Sequence, residues 1–137
     1  MTDGVDPVET LARTVWGEAR GEGRTGMVAV ASVIKNRADH PRWWGHNIVS
    51  VCTDPYQFSC RNRTDPNYPK LLSVTASDPQ YAEALDIAAG VIAGTTPDAV
   101  QGATSYYDSR MPIPPSWAVG HTPLCQIGHH LFFGDLA

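Results

Sequence analysis

At 137 residues, with 42% hydrophobic and 18% charged residues, the chain has the size of one domain and enough apolar content to fold without staples, which excludes a disordered chain. A net charge of −4 is the wrong sign for a nucleic-acid binder, which carries a clustered basic footprint. No apolar run approaches membrane-spanning length, and the acidic start MTDGVDPVET has neither the basic nor the apolar region of a secretory leader, so synthesis in the cytoplasm without stable membrane association is expected.

In chain order, Asp6-Pro7-Val8-Glu9 opens a first helix: Asp6 is the N-cap, Pro7 the first helical residue and Glu9 sits in capping-box position. The helix should run to about Gly17–Gly21. A second begins near Thr25 and carries Met27, Val28, Val30, Ala31, Val33 and Ile34 on nearly every side, the mark of a buried helix. Residues 39–77 are rich in Pro, Asn, Asp and aromatics and read as ordered loop with short helical turns. Asp78-Pro79 caps a third helix with Tyr81, Leu85, Ala88 and Ile92 along one stripe, ending at Gly94. Residues 103–107 and 128–133 read as two strands of a small antiparallel sheet. The expected class is α+β, mainly α, in a single catalytic-size domain over 1–137.

Cys52, Cys60 and Cys125 contain no C-x-x-C pair, which argues against a zinc ribbon or redox motif. They read as unpaired thiols, with a Cys52–Cys60 disulfide as the alternative in an oxidising compartment. A metal site from His121, Cys125 and His129 or His130 would need one helix face, and Pro123 and Gly128 interrupt it. No metal or cofactor is expected.

Glu18 breaks the pattern. At about 100° per residue it falls roughly 20° from Leu11, on the stripe of Val8, Leu11 and Val15, while Arg20 points the opposite way. A carboxyl facing apolar surroundings favours its protonated form, as a general acid requires. A structural alternative pairs Glu18 with Arg20, Arg24 or Arg37. Glu22 would share the stripe only if the helix continued through Gly21, and a break there is expected.

Four ordered segments then carry a resemblance. GEARGEGRTGMVAVASVIKNR resembles the opening signature of the SleB/CwlJ-type cell wall hydrolases, which include spore cortex-lytic enzymes and phage-borne lysins. DPYQFSC resembles that family's Gln-Phe-Ser segment, GATSYYD its tyrosine strand and IGHHLFF its closing motif, so the likeness spans roughly residues 11–133. It implies a lysozyme- or lytic-transglycosylase-like fold, peptidoglycan as partner, and cleavage between N-acetylmuramic acid and N-acetylglucosamine. Glu18 maps onto the family's catalytic acid, which protonates the glycosidic oxygen and then acts as base while the muramoyl 6-hydroxyl closes an anhydro ring.

Two-carboxylate hydrolysis needs a second acid flanking the bond, and Asp108 is the best candidate, though a loop role is the commoner fate of such a residue. Gln57 and Ser59 are expected to bind the glycan by hydrogen bonds, with Phe58 beside them as packing or contact. Tyr106 and Tyr107 should face opposite ways on a strand, with Tyr106 lining the cleft. His130 matches the family histidine, and Trp43, Trp44 and Trp117 either form a sugar platform or cover the core. The lack of a leader or wall-binding repeat fits a monomeric, phage-type endolysin released to the wall. Rival readings are a muramidase or glucosaminidase, a non-catalytic glycan-binding module and a metal-dependent amidase.

Overall fold

The computed structural model describes residues 6–55 and 57–134. Helix α1 spans Pro7–Ala19; Asp6 accepts from the Val8 N–H at 3.0 Å, as the cap signal predicts. Glu9 turns its carboxylate to Arg13 at 2.7 Å rather than closing a capping box. Arg13 also donates to the carbonyls of Leu71 and Val74, at 2.6 and 3.1 Å, and so clamps α1 to the end of α4, Asn67–Ser73.

After a 3-10 turn at Arg20–Glu22, helix α2 runs Gly23–Asp39. Its residues Met27, Ala29, Val30, Ala31, Val33 and Ile34 are fully buried, because α2 is the wall between two apolar clusters. Leu11, Val15, Val30 and Ile34 meet Ile87, Val51 and Leu71 on one side. Ala29 and Val33 meet Val100, Ala103 and Phe132 under the sheet on the other. Each such side chain contributes about 1.5–3 kcal/mol on burial, which explains why a helix with no polar face is stable here.

Residues 39–77 hold α3, Ile48–Thr53, a 3-10 turn at Ser59–Arg61, and α4. Asn47 caps α3 with a reciprocal box to Ser50. Helix α5, Pro79–Ala93, starts at Asp78 and stops at Gly94, whose φ of +84° suits only a residue without Cβ.

The sheet has three strands, one more than expected: β1 Ser105–Asp108, β2 Cys125–Ile127 and β3 His130–Phe133, in order β1-β3-β2 and antiparallel throughout. Strand β2 has three residues and alternates too briefly to be read from sequence. Register pairs Tyr106 with Phe132 and Asp108 with His130, so all four share a face. The mainly α, α+β class is as expected. None of the three cysteines forms a disulfide, and Cys52 and Cys60 are buried in place, so the disulfide alternative is set aside. Among the described residues no helix is long and apolar enough to cross a membrane.

Candidate active site

Glu18 stands in the last turn of α1, half-buried, where the helical wheel places it. Its neighbour Gly17 explains what reaches it: a Cβ at Gly17 would lie 2.8 Å from Cys60 Sγ, so only glycine lets the 59–61 turn press against α1. Arg61 locks that turn down by donating to Thr14 Oγ1 at 3.0 Å and the Thr10 carbonyl at 2.9 Å. The Cys60 backbone N–H then donates to Glu18 Oε2 at 3.4 Å. From β1, the Tyr106 hydroxyl donates to Glu18 Oε1 at 3.2 Å.

None of the cations that could have neutralised Glu18 does so. Arg20 lies over the Trp16 ring at 4.0 Å and donates to Asn67 at 2.8 Å. Arg24 faces Glu83 and Asp86 on α5, at 3.7 and 3.3 Å. Arg37 donates to the Thr104 carbonyl at 2.6 Å. The carboxyl is therefore held by two neutral donors.

The phenol and the neighbouring Cys60 thiol both keep their protons. Burial, and then the Glu18 charge, push the Tyr106 phenol well above its ordinary value. The same two causes push the Cys60 thiol up. Arg37 opposes the shift at Tyr106. Burial draws the Arg37 guanidinium itself down while Tyr106 and Asp54 support its charge, and it lies 5.4 Å over the Trp44 ring and 5.6 Å over Phe58.

The remaining expected residues divide sharply. Tyr106 and Tyr107 do face opposite sides: Tyr106 meets the His130 edge at 5.0 Å, whereas Tyr107 stacks on Phe133 at 5.7 Å. His130 is buried against Tyr106 and Phe132 with Nδ1 3.9 Å from Glu22 Oε1. Gln57 is half-buried and Ser59 exposed on the turn that delivers Cys60. Phe58 is corrected: at 2% exposure it is core, lying under Arg37, and offers no face to a ligand. Asp108 is also corrected as a spare acid. Arg110 grips it through Nε at 3.0 Å and Nη2 at 2.6 Å and holds its carboxyl well below the usual range. Trp44 covers the core and donates to the Arg37 carbonyl at 3.0 Å, Trp117 packs on Tyr107 and Phe133, and Trp43 is 67% exposed.

The sequence pattern discounts Glu22 and offers Arg37 only as a partner for Glu18, whereas its guanidinium goes to the Thr104 carbonyl from the last turn of α2. Among the described residues no three of His, Cys, Asp and Glu gather closely enough to hold a metal ion, so His121, Cys125, His129 and His130 do not form one site.

The family model for cell wall hydrolases matches residues 21–133. That span contains Glu22, Tyr106, Asp108 and His130, and Glu18 lies just before it. The chain is 28% identical over 125 residues to a spore cortex-lytic enzyme of Halalkalibacterium halodurans, covering 91% of this chain and 34% of that protein. It is 40% identical over 52 residues to the spore cortex-lytic enzyme of Bacillus subtilis, covering 38% of this chain and 17% of the relative. The chain thus spans about a third or less of those proteins. Among solved structures, the catalytic domain of the germination-specific lytic transglycosylase SleB from Bacillus anthracis superposes with a TM-score of 0.71 at 24% identity, covering 93% of both chains. The SleB catalytic domain of Bacillus cereus gives 0.69 at 24% identity, over 93% of this chain and 88% of that one. These likenesses establish a shared fold.

Proposed function

The chain belongs to the cell wall hydrolase family, and on that premise we propose that it cleaves the glycosidic bond between N-acetylmuramic acid and N-acetylglucosamine in peptidoglycan, as a lytic transglycosylase. Glu18 donates its proton to the bridging oxygen as the bond breaks. The carboxylate so formed then takes the proton of the muramoyl 6-hydroxyl, which attacks the anomeric carbon and closes the anhydro ring. No water enters and no second acid is consumed.

One observation carries this reading: Glu18 sits on the core-facing stripe of α1, held by a phenol O–H and a backbone N–H, and no described cation pairs with it. A guanidinium partner would fix the group as a carboxylate and strip it of a proton to give. Neutral donors orient it without tying it to a cation, as a group that must give a proton and take one back requires. The names of its structural neighbours, catalytic domains of SleB proteins, one a lytic transglycosylase, support the assignment. Asp108, committed to Arg110, is poorly placed to serve as the second acid of a hydrolase.

Glu18→Gln keeps the shape and removes the transferable proton. Digestion of purified sacculi by this variant should fall about 10²- to 10⁴-fold with folding retained. Mass spectrometry of the wild-type fragments should show anhydro-muramoyl ends. Unchanged lysis by Glu18→Gln would overturn the proposal, and reducing ends would move it to a hydrolase.

A further inference from the structure

Glu22 reaches the site although α1 ends before it. The 3-10 turn Arg20–Glu22 keeps the chain winding, and α2 begins directly after it at Gly23. Gly26 makes room for the side chain, since a Cβ there would collide with Glu22 Cβ. Gly128, at φ +58° in the β2–β3 turn, brings that turn alongside, and a Cβ there would lie in ordinary contact, 3.6 Å from Glu22 Oε1. In this slot Oε1 is buried and accepts no hydrogen bond among the described residues. The side chain as a whole is 23% exposed, so the exposure falls on Oε2 and the methylenes.

An unpaired buried carboxylate oxygen is costly, and structures normally supply it with a donor. The available donor is His130, whose Nδ1 stands 3.9 Å away; a movement of about 1 Å completes the bond. Arg110 contributes charge nearby, but its guanidinium is engaged with Asp108. On its other side the His130 ring packs on Tyr106, which donates to Glu18. The two glutamates are therefore joined through one Tyr–His pair.

Building on the glycan reading above, we infer that Glu22 is a second substrate-facing carboxylate, oriented by His130 Nδ1–H, whose Oε2 accepts a hydrogen bond from an acetamido N–H or hydroxyl of the N-acetylated sugar at the cleaved bond. His130 acts as its positioning residue, with no proton transferred in the step. Glu18 remains the acid and base, and Glu22 sets where the sugar lies relative to it.

The test measures kcat, KM and products on purified sacculi and soluble glycan fragments for wild type, Glu18→Gln, Glu22→Gln, His130→Gln and the Glu22/His130 double variant. Loss of a bond to a charged acceptor should lower kcat/KM about 10- to 100-fold in Glu22→Gln. Melting temperature should hold and anhydro ends should persist. His130→Gln should fall similarly, and the double variant no further than the worse single, since the pair works as a unit. Wild-type rates in Glu22→Gln, or losses that simply multiply in the double variant, overturn the inference while wild-type lysis keeps the glycan reading standing. Reducing ends that disappear in Glu22→Gln would make Glu22 a base for water and also overturn it. A wild type inert on sacculi overturns the glycan reading and this inference together.

Discussion

Glu18 and Asp108 lie at the ends of two elements, α1 and β1, and their surroundings differ in kind. Glu18 is reached by groups from distant parts of the chain, a backbone N–H from the 59–61 turn and a phenol from β1, both neutral. Asp108 is gripped by Arg110, two residues on, through two side-chain bonds and the Arg110 backbone N–H at 2.8 Å. The first arrangement needs the whole fold and leaves the carboxyl without a cation partner among the described residues. The second needs only a turn and holds its carboxyl ionised. The charge of a carboxyl's partners is what separates the two.

The long-range arrangement depends on the packing beneath it, so its removal has the largest effect. Phe58, at 2% exposure directly before the 59–61 turn, should cost about 3–5 kcal/mol when truncated to Ala. Chemical denaturation would measure this. A loss below about 1 kcal/mol would instead return Phe58 to the list of ligand contacts.

Gly17→Ala attacks the same arrangement from the helix side. Alanine gains up to about 1 kcal/mol in helix propensity, and overpacking against Cys60 costs about 1–3 kcal/mol. The net change in stability is small because these oppose, but the turn must retreat from α1 and draw the Cys60 N–H off Glu18. Turnover on sacculi should therefore drop out of proportion to stability. Equal turnover at equal stability would show that the Cys60 contact is dispensable.

Tyr106→Phe deletes one of the two donors and little volume. A hydrogen bond to a charged group contributes about 1.5–3 kcal/mol, so kcat should fall about 10- to 100-fold while the Phe ring keeps its contact with His130. Tyr107→Phe, on the outer face, should leave kcat untouched, and the contrast between these adjacent residues is the control.

Much of this was legible in sequence where the signal is local. Asp6-Pro7 and Asp78-Pro79-Gly94 punctuate α1 and α5 because caps act over three or four residues. Period-two alternation separated Tyr106 from Tyr107, and period 3.6 put Glu18 on the inner stripe. What failed to show is what folding brings together from afar. The Cys60 backbone N–H carries no side-chain signature, and it meets Glu18 across 42 residues. Glu22 lies past Gly21, where the helical pattern stops; a 3-10 turn carries the chain across that break, and Gly26 leaves space for its Cβ that no window centred on Glu22 reveals. Asp108 shows the converse: its position beside the tyrosines is visible in sequence, while the grip of Arg110 two residues later appears only once the turn is folded.

The smallest effect belongs to that local pair, and it is read in acid. Asp108 has a folded pKa depressed by Arg110, so as pH falls the unfolded chain takes up the proton first, near the ordinary value of about 3.9. The pair's stabilisation is complete above that value and is lost below it, toward the lower folded one. With the Asp108 and Arg110 side chains 31% and 62% exposed, solvent screening keeps the contribution small. Asp108→Asn should therefore match wild-type sacculus turnover, and its stability should decline less steeply than wild type below about pH 4. A large loss of turnover in Asp108→Asn would make Asp108 the second acid after all, and would erase the distinction between a carboxyl held by neutral donors and one held by a cation.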